Sequence, residues 1–252
     1  MVLNVMSVNY RSEDFVINLI NKLNGEDIPY EFILVDNSGE LDKKLLNRSI
    51  TKRENSSIKI IKNNLKISNS CLSHVSGLNL GLCNLNFDNP YTLICDPDVS
   101  FSCGILKELI DYMNRNDLDI LGVRKYKRKY PYIWFTLVKT KYLQDFYFLY
   151  LPIKDNIIVK GVRKLCRMCG ILPNIEDSGD SIYELIKSKN LKYESVPPVD
   201  KNKLPNRYKF LSKIKSTEYI WKDYIISHFN CGSETRYKRL HGVDDKEIFF
   251  KL

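Results

Sequence analysis

Two hydrophobic patterns alternate along the first half of the chain. Val2–Tyr10 (VLNVMSVNY) is a nearly continuous apolar run, as a strand buried on both faces would be. Ser12–Asn24 (SEDFVINLINKLN) switches to helical spacing, with Phe15, Ile17, Leu19, Ile20 and Leu23 on one broad face. Ser12 is placed to cap that helix and Gly25 to close it. The alternation repeats. Tyr30–Gly39 (YEFILVDNSG) predicts a second strand ending in polar turn residues, and the linker-like stretch 43–57 leads to a short third strand, Ile58–Asn63. Ser70–Leu85 has helical spacing through Leu72, Val75, Leu78 and Leu82, weakened by its glycines. Tyr91–Phe101 (YTLICDPDVSF) predicts one fourth strand, Gly104–Asp117 a helix, and Leu118–Tyr126 a further strand.

Strands that are apolar throughout and alternate with helices predict a mostly parallel sheet with helices on both faces. Ligands of such sheets bind outside the carboxyl ends of the strands. Asn9-Tyr10, Asp36-Asn37-Ser38 and Asp96-Pro97-Asp98 then share one rim, three separate strands each ending in acid or amide residues. The second half is less regular and more aromatic. In Glu176–Asn190 (EDSGDSIYELIKSKN), Ser181 and Glu184 have the spacing of a capping box. Leu191–Pro198 reads as an edge strand stopped by prolines. With no repeat and no clear linker, the expected organisation is one domain over 1–252, with a donor-binding half (1–123) and an acceptor-side half (124–252).

Composition narrows the class. At 252 residues, 44% hydrophobic and 27% charged, the chain is an ordinary globular protein with a sizeable core. No apolar run approaches the ~20 residues that span a bilayer. The first residues lack a basic lead and a cleavage site, so a cytoplasmic location is expected. The seven cysteines are odd in number and carry no secretion signal, as reduced thiols would be. Cys166 and Cys169 form one CxxC without a second pair, half of what structural zinc requires. The net charge of +9 favours anionic partners, with Arg124–Lys129 (RKYKRK) as its densest cluster. No nucleic-acid motif accompanies it, so no specific nucleic acid is expected.

The polar strand ends, taken in order, resemble the GT-A glycosyltransferases, and within them the family 2-like group. LVDNSG is similar to the family's strand-ending V-D-N-G-S, with Ser and Gly exchanged. HVSGLNLGL resembles the segment with an Asn two residues before a Gly. DPDV resembles the metal-binding D-x-D, IEDSGD the acidic E-D motif, and HFNCGS a late His-containing loop. The likeness is good over about Leu3–Asp98 and looser beyond.

The resemblance implies an inverting, metal-dependent transfer of a sugar from a nucleotide-sugar donor (UDP-, GDP- or dTDP-) to a hydroxyl of a glycan, lipid-linked or protein acceptor. It implies Mn²⁺ or Mg²⁺ held by Asp98, with Asp96 on the ribose or the metal and His228 approaching the metal and diphosphate, with Ser233 and Arg236 near phosphate. Carboxylates suit such hard cations. Asn9, Tyr10, Asp36 and Asn79 would surround the nucleotide, and Trp134 would wall the sugar. The general base would be Asp177, or Asp180, because the spacing after Glu176-Asp177 departs from the family pattern. Of the other histidines, His74 reads as structural and His241 as solvated. FYFLYLP and the basic charge would suit a peripheral membrane contact. Two alternatives remain: a nucleotidyltransferase of similar fold, although SVNYRSEDF lacks the glycine-rich phosphate loop it would want, and a non-catalytic nucleic-acid or anion binder.

Overall fold

The computed structural model describes residues 1–38, 54–65, 67, 69–126, 128–149, 179–230 and 243–252. Its centre is a seven-stranded sheet. In chain order the strands are β1 (Leu3–Asn9), β2 (Tyr30–Asp36), β3 (Ser57–Lys62), β4 (Tyr91–Cys95), β6 (Ile120–Val123), β7 (Phe135–Lys139) and β8 (Tyr193–Val196). Their spatial order is β3-β2-β1-β4-β7-β6-β8, and only β7 runs antiparallel to its neighbours. β8 closes one edge, where its prolines stop it.

Alternate strand residues feed two cores. Leu3 and Val5 of β1 and Phe32 and Leu34 of β2 face one side. There they meet Val16, Leu19, Ile20 and Leu23 of α1 (Glu13–Asn24) and Leu106, Leu109, Ile110 and Met113 of α3 (Ile105–Arg115). Met6, Val8, Ile33 and Val35 face the other side, against Val75, Leu78 and Leu82 of α2 (Ser70–Leu82) and Ile182, Leu185 and Ile186 of α4 (Asp180–Lys189). Burial on both faces is why these strands read as unbroken apolar runs.

The glycines that weaken α2 as an isolated helix serve its packing. A Cβ on Gly77 would stand 2.6 Å from Cγ1 of Val8, and one on Gly81 would stand 2.5 Å from Sδ of Met6. Their absence lets the helix backbone lie directly on β1.

The predicted single strand Tyr91–Phe101 is two strands in two sheets. β4 ends at Cys95, Asp96-Pro97-Asp98 turns the chain, and β5 (Val99–Phe101) leaves for a three-stranded antiparallel sheet of order β5-β10-β9. The proline, without an N–H and fixed in φ, ends the first ladder. β9 (Thr217–Trp221) and β10 (Tyr224–His228) form a hairpin whose second strand pairs with β5, Ile226 opposite Phe101 and His228 opposite Val99. A third apolar cluster, with Phe15, Leu211, Ile225, Phe229 and Phe249, joins α1 and this hairpin to the last helix, α5 (Val243–Phe250).

Three expected caps form differently. Ser12 sits at the N-cap of α1, but its hydroxyl donates to Oδ1 of Asn9. Gly25 ends the helix in a right-handed conformation (φ −77°). The Ser181 hydroxyl pairs with the backbone N–H and carbonyl of Leu149, so no capping box forms with Glu184. For both serines a partner outside the helix takes the side chain. No helix among the described residues is long and apolar enough to cross a membrane.

Candidate active site

The rim at the carboxyl ends of β1, β2 and β4 carries the acids. β1 is flanked by β2 and β4, so successive connections leave it in opposite directions and open a crevice there. The Asp96-Pro97-Asp98 turn lies at its edge. The Asp96 N–H donates to the carbonyl of Trp134, and the Val99 N–H to the carbonyl of Asp96.

His228 arrives from 130 residues away by strand pairing. Opposite Val99 in the β5–β10 ladder, it lies beside Asp98, and the Phe229 N–H donates to the Asp98 carbonyl at 2.9 Å. Nε2 of His228 is 3.3 Å from Oδ1 of Asp98 and 3.7 Å from Oδ2 of Asp96. One donor atom from each of Asp96, Asp98 and His228 falls within 4.8 Å of the others, as ligands of a single ion would. Asp98 and His228 are buried, while the Asp96 side chain is 20% exposed and faces the rim.

Burial alone would lower the His228 pKa. The Asp98 carboxylate and then Asp96 outweigh it and push the pKa up to about 9. The imidazolium thus holds two carboxylates together. A divalent cation could replace the proton, and a set of two carboxylate oxygens and one imidazole nitrogen fits Mg²⁺ or Mn²⁺. The Cys95 thiol, one residue before the turn, is no competing ligand. Burial and the neighbouring Asp96 raise its pKa far above the usual thiol range.

Trp134 stands beside the cluster and is half-buried. Its ring stacks on the His228 imidazole, centroids 4.3 Å apart at 27°, and meets Tyr132 edge-on at 4.9 Å. One face of the half-buried indole therefore supports the histidine. Nζ of Lys125 lies 4.1 Å from the Tyr132 centroid and 5.2 Å from that of Trp134, which puts a cation of the basic cluster beside this stack.

The other predicted residues divide into exposed and committed groups. Tyr10 is 47% exposed at the rim, with the Arg11 guanidinium 5.5 Å from its ring. Asp36 is buried, and its Oδ1 accepts from Nδ2 of Asn9 and from the N–H and hydroxyl of Ser38. Asn9 is likewise buried between Asp36 and Ser12, so it orients the acid and does not reach solvent. Asn79 is engaged with a backbone segment. Its amide donates to the carbonyl of Phe148 at 3.0 Å and accepts from the Phe148 N–H at 2.8 Å, which makes it a clamp on the aromatic segment.

Asp180 is also engaged within the protein. It is buried, accepts from the Tyr130 hydroxyl at 2.6 Å and pairs with Arg128 at 3.2 Å. Asp177, Ser233, Arg236, Cys166, Cys169 and His241 lie outside the described residues.

The sequence reading missed His74. Its Nε2 is 3.6 Å from Oδ1 of Asp96, whereas His228 approaches the other oxygen, Oδ2. The available signal was its spacing, three and seven residues before the glycines that press α2 onto β1. It also missed the amide network behind it, in which Asn37 donates to the carbonyl and hydroxyl of Ser73 and Asn63 donates to Asn37 and Ser76.

No family model and no curated protein matches this sequence. Among solved structures the chain is similar to S. aureus TarS 1-349, with a TM-score of 0.51 and 16% identity, over 78% of this chain and 58% of that one. The same TarS piece in complex with UDP aligns with a TM-score of 0.45 at 18% identity, over 59% of this chain and 50% of that one. A 4-diphosphocytidyl-2C-methyl-D-erythritol synthase from Anaerococcus prevotii DSM 20548 aligns with a TM-score of 0.45 at 11% identity, over 78% and 86%. The chain thus spans little more than half of the TarS piece. At these identities the first likeness speaks to fold alone, and with the sheet order above it gives this protein a GT-A-like α/β fold.

Proposed function

We propose that the protein is a metal-dependent glycosyltransferase that moves a sugar from a nucleotide-sugar donor to an acceptor hydroxyl, with inversion. The observation that carries this reading is the Asp96–Asp98–His228 cluster, assembled at a strand-end rim by two different sheets. Asp98 and His228 would hold Mn²⁺ or Mg²⁺ from the buried side and Asp96 from the open side. When bound, the cation supplies Lewis-acid stabilisation of the departing diphosphate. Tyr10 would stack on the nucleobase, and Asp36, aimed by Asn9, would lie beneath it. Trp134 would keep the His228 ring in register. The acceptor hydroxyl needs a base within hydrogen-bond reach, and with Asp180 committed to Arg128 and Tyr130, Asp177 is the candidate. The nucleotidyltransferase alternative is disfavoured by the β1–α1 turn. It has no glycine and passes through Arg11 at φ 54°, so it offers no phosphate cradle of the glycine-rich kind.

A thermal-shift panel of UDP-, GDP-, dTDP- and CDP-sugars, each with and without Mn²⁺, tests the reading. At least one donor should raise the melting temperature only when metal is present, and Asp98→Asn should abolish that shift. A panel with no metal-dependent shift for any donor would remove the support for a sugar-nucleotide site.

A further inference from the structure

His74 lies on the stripe of α2 that faces the sheet. With Gly77 and Gly81 it follows the i, i+3, i+7 spacing of one helix face. The two glycines rest on Val8 and Met6. One turn earlier, the same stripe overhangs the strand ends and brings His74 to Asp96. The placement is reinforced from several sides. Asn69 caps the helix by accepting from the Leu72 N–H, Asn37 grips Ser73, the residue before His74, and Asn63 reaches Ser76. A quarter-exposed histidine of no consequence needs no such scaffold.

Asp96 therefore lies between two imidazoles. Its Oδ1 is 3.6 Å from Nε2 of His74, and its Oδ2 is 3.7 Å from Nε2 of His228. Of the candidate ligands Asp96, Asp98 and His228, Asp96 is the most exposed and sits in a turn, so its carboxylate has the most freedom to rotate. A carboxylate that rotates is a poor ligand until an outer hydrogen bond fixes it. We propose that His74 is that outer partner: a positioning residue that donates from Nε2 to Oδ1 of Asp96 and leaves Oδ2 directed at the ion. A small rotation of Asp96 closes 3.6 Å to a hydrogen bond. The role rests on the metal-dependent reading above, and it makes α2 part of the centre although it supplies no ligand.

The test is Mn²⁺ binding followed by the EPR signal of the free ion, with no donor or acceptor present. His74→Ala should weaken binding about 10–100-fold, the usual effect of losing an outer-sphere partner. His74→Gln, whose side-chain amide can donate from a similar place, should recover most of that loss, which a purely structural role would not predict. Thermal melts of both variants identify any folding defect. Wild-type protein that binds Mn²⁺ with His74→Ala unchanged overturns the positioning role and leaves the metal site standing. Alanine and glutamine variants equally impaired also overturn it, because the donated hydrogen bond would not be the cause. A wild-type chain that takes up no Mn²⁺, with Asp98→Asn as the comparison, overturns both proposals.

Discussion

Raising the pH should tighten metal binding far more steeply than an ordinary histidine ligand allows. In the metal-free protein the Asp98 and Asp96 carboxylates hold the His228 pKa at about 9 against the opposing effect of burial. A cation must displace that proton, since only neutral imidazole coordinates. At pH ~7 about one molecule in a hundred carries neutral His228, and at pH ~8 about one in ten, so apparent affinity should rise close to tenfold over that unit. The proton costs roughly 2.7 kcal/mol at pH ~7, two units at about 1.4 kcal/mol each. A histidine at its unperturbed value would give less than about a 1.3-fold change over the same unit. Calorimetric titration of Mn²⁺ or Mg²⁺ at pH ~6.5 to ~8.5, in buffers of different ionisation enthalpy, reads both the affinity and the proton release, which should approach one per ion near neutral pH. Affinity that is flat above pH ~7 with no proton released would refute the account of a protonated imidazole between two carboxylates. His228→Ala should abolish the proton release whatever affinity it retains.

Glu26 gives a second pH dependence, this time in stability. It is buried and accepts from the N–H groups of Gly104 and Leu106 at the start of α3, while desolvation pushes its pKa up to about 7. A carboxyl raised in the folded state contributes most below its unfolded pKa, and that contribution is lost as pH rises to about 7. Unfolding free energy should thus fall by up to about 3 kcal/mol between pH ~4.5 and ~7.5, and Glu26→Gln should flatten the slope in urea titrations. Gly77→Ala and Gly81→Ala should differ although both gain up to about 1 kcal/mol in helix propensity. The first drives Cβ into the stiff, branched Val8 and the second into Cγ and Sδ of the buried Met6, so overpacking of about 1–3 kcal/mol opposes both, and chemical denaturation should show the smaller loss at Gly81, where the unbranched side chain gives way more readily. Asp180→Asn should cost about 2–3 kcal/mol of stability by removing the buried charge that faces Arg128, and metal-dependent donor shifts that survive it would show that donor binding does not depend on Asp180.

The parts of the fold legible in the sequence are those governed by periodicity. Both faces of β1, β2 and β4 are buried, so their apolar runs announced a covered sheet, and the acids and amides after them announced its working rim. Two facts were not local and left little trace. The continuous run Tyr91–Phe101 gives no sign that its two ends pair with different partners, since a buried strand has the same composition in either sheet. Asn79, Asp180 and Ser181 were read by residue type, yet each side chain is taken up by a partner set by tertiary packing: Phe148, Arg128 with Tyr130, and Leu149. A carboxylate or amide near a rim is a candidate on chemistry alone, and only its neighbours reveal whether it has capacity to spare.

The split strand also bears on why this site can hold two buried acids. Had Asp98 continued the β4 ladder, it would have entered the main sheet with no cation in reach, at the cost of desolvating a bare charge. By turning at Pro97 the chain carries Asp98 into the small sheet, where the ladder opposite Val99 delivers His228 to it at 3.3 Å. The histidine and the acid are therefore mutually dependent. Without His228 the buried Asp98 carboxylate loses the cation beside it, and without the acids burial would keep the imidazole from holding its proton. Trp134 ties this pair back to the main sheet, since its carbonyl accepts from the Asp96 N–H while its ring stacks on His228. Trp134→Leu tests that linkage. It keeps an apolar side chain but removes the ring, so the His228 imidazole should gain rotational freedom. NMR titration should then show its pKa falling from about 9 toward its unperturbed value of about 6.5. A pKa unchanged by the substitution would mean that the carboxylates alone fix the imidazole and that the stack contributes nothing to the centre.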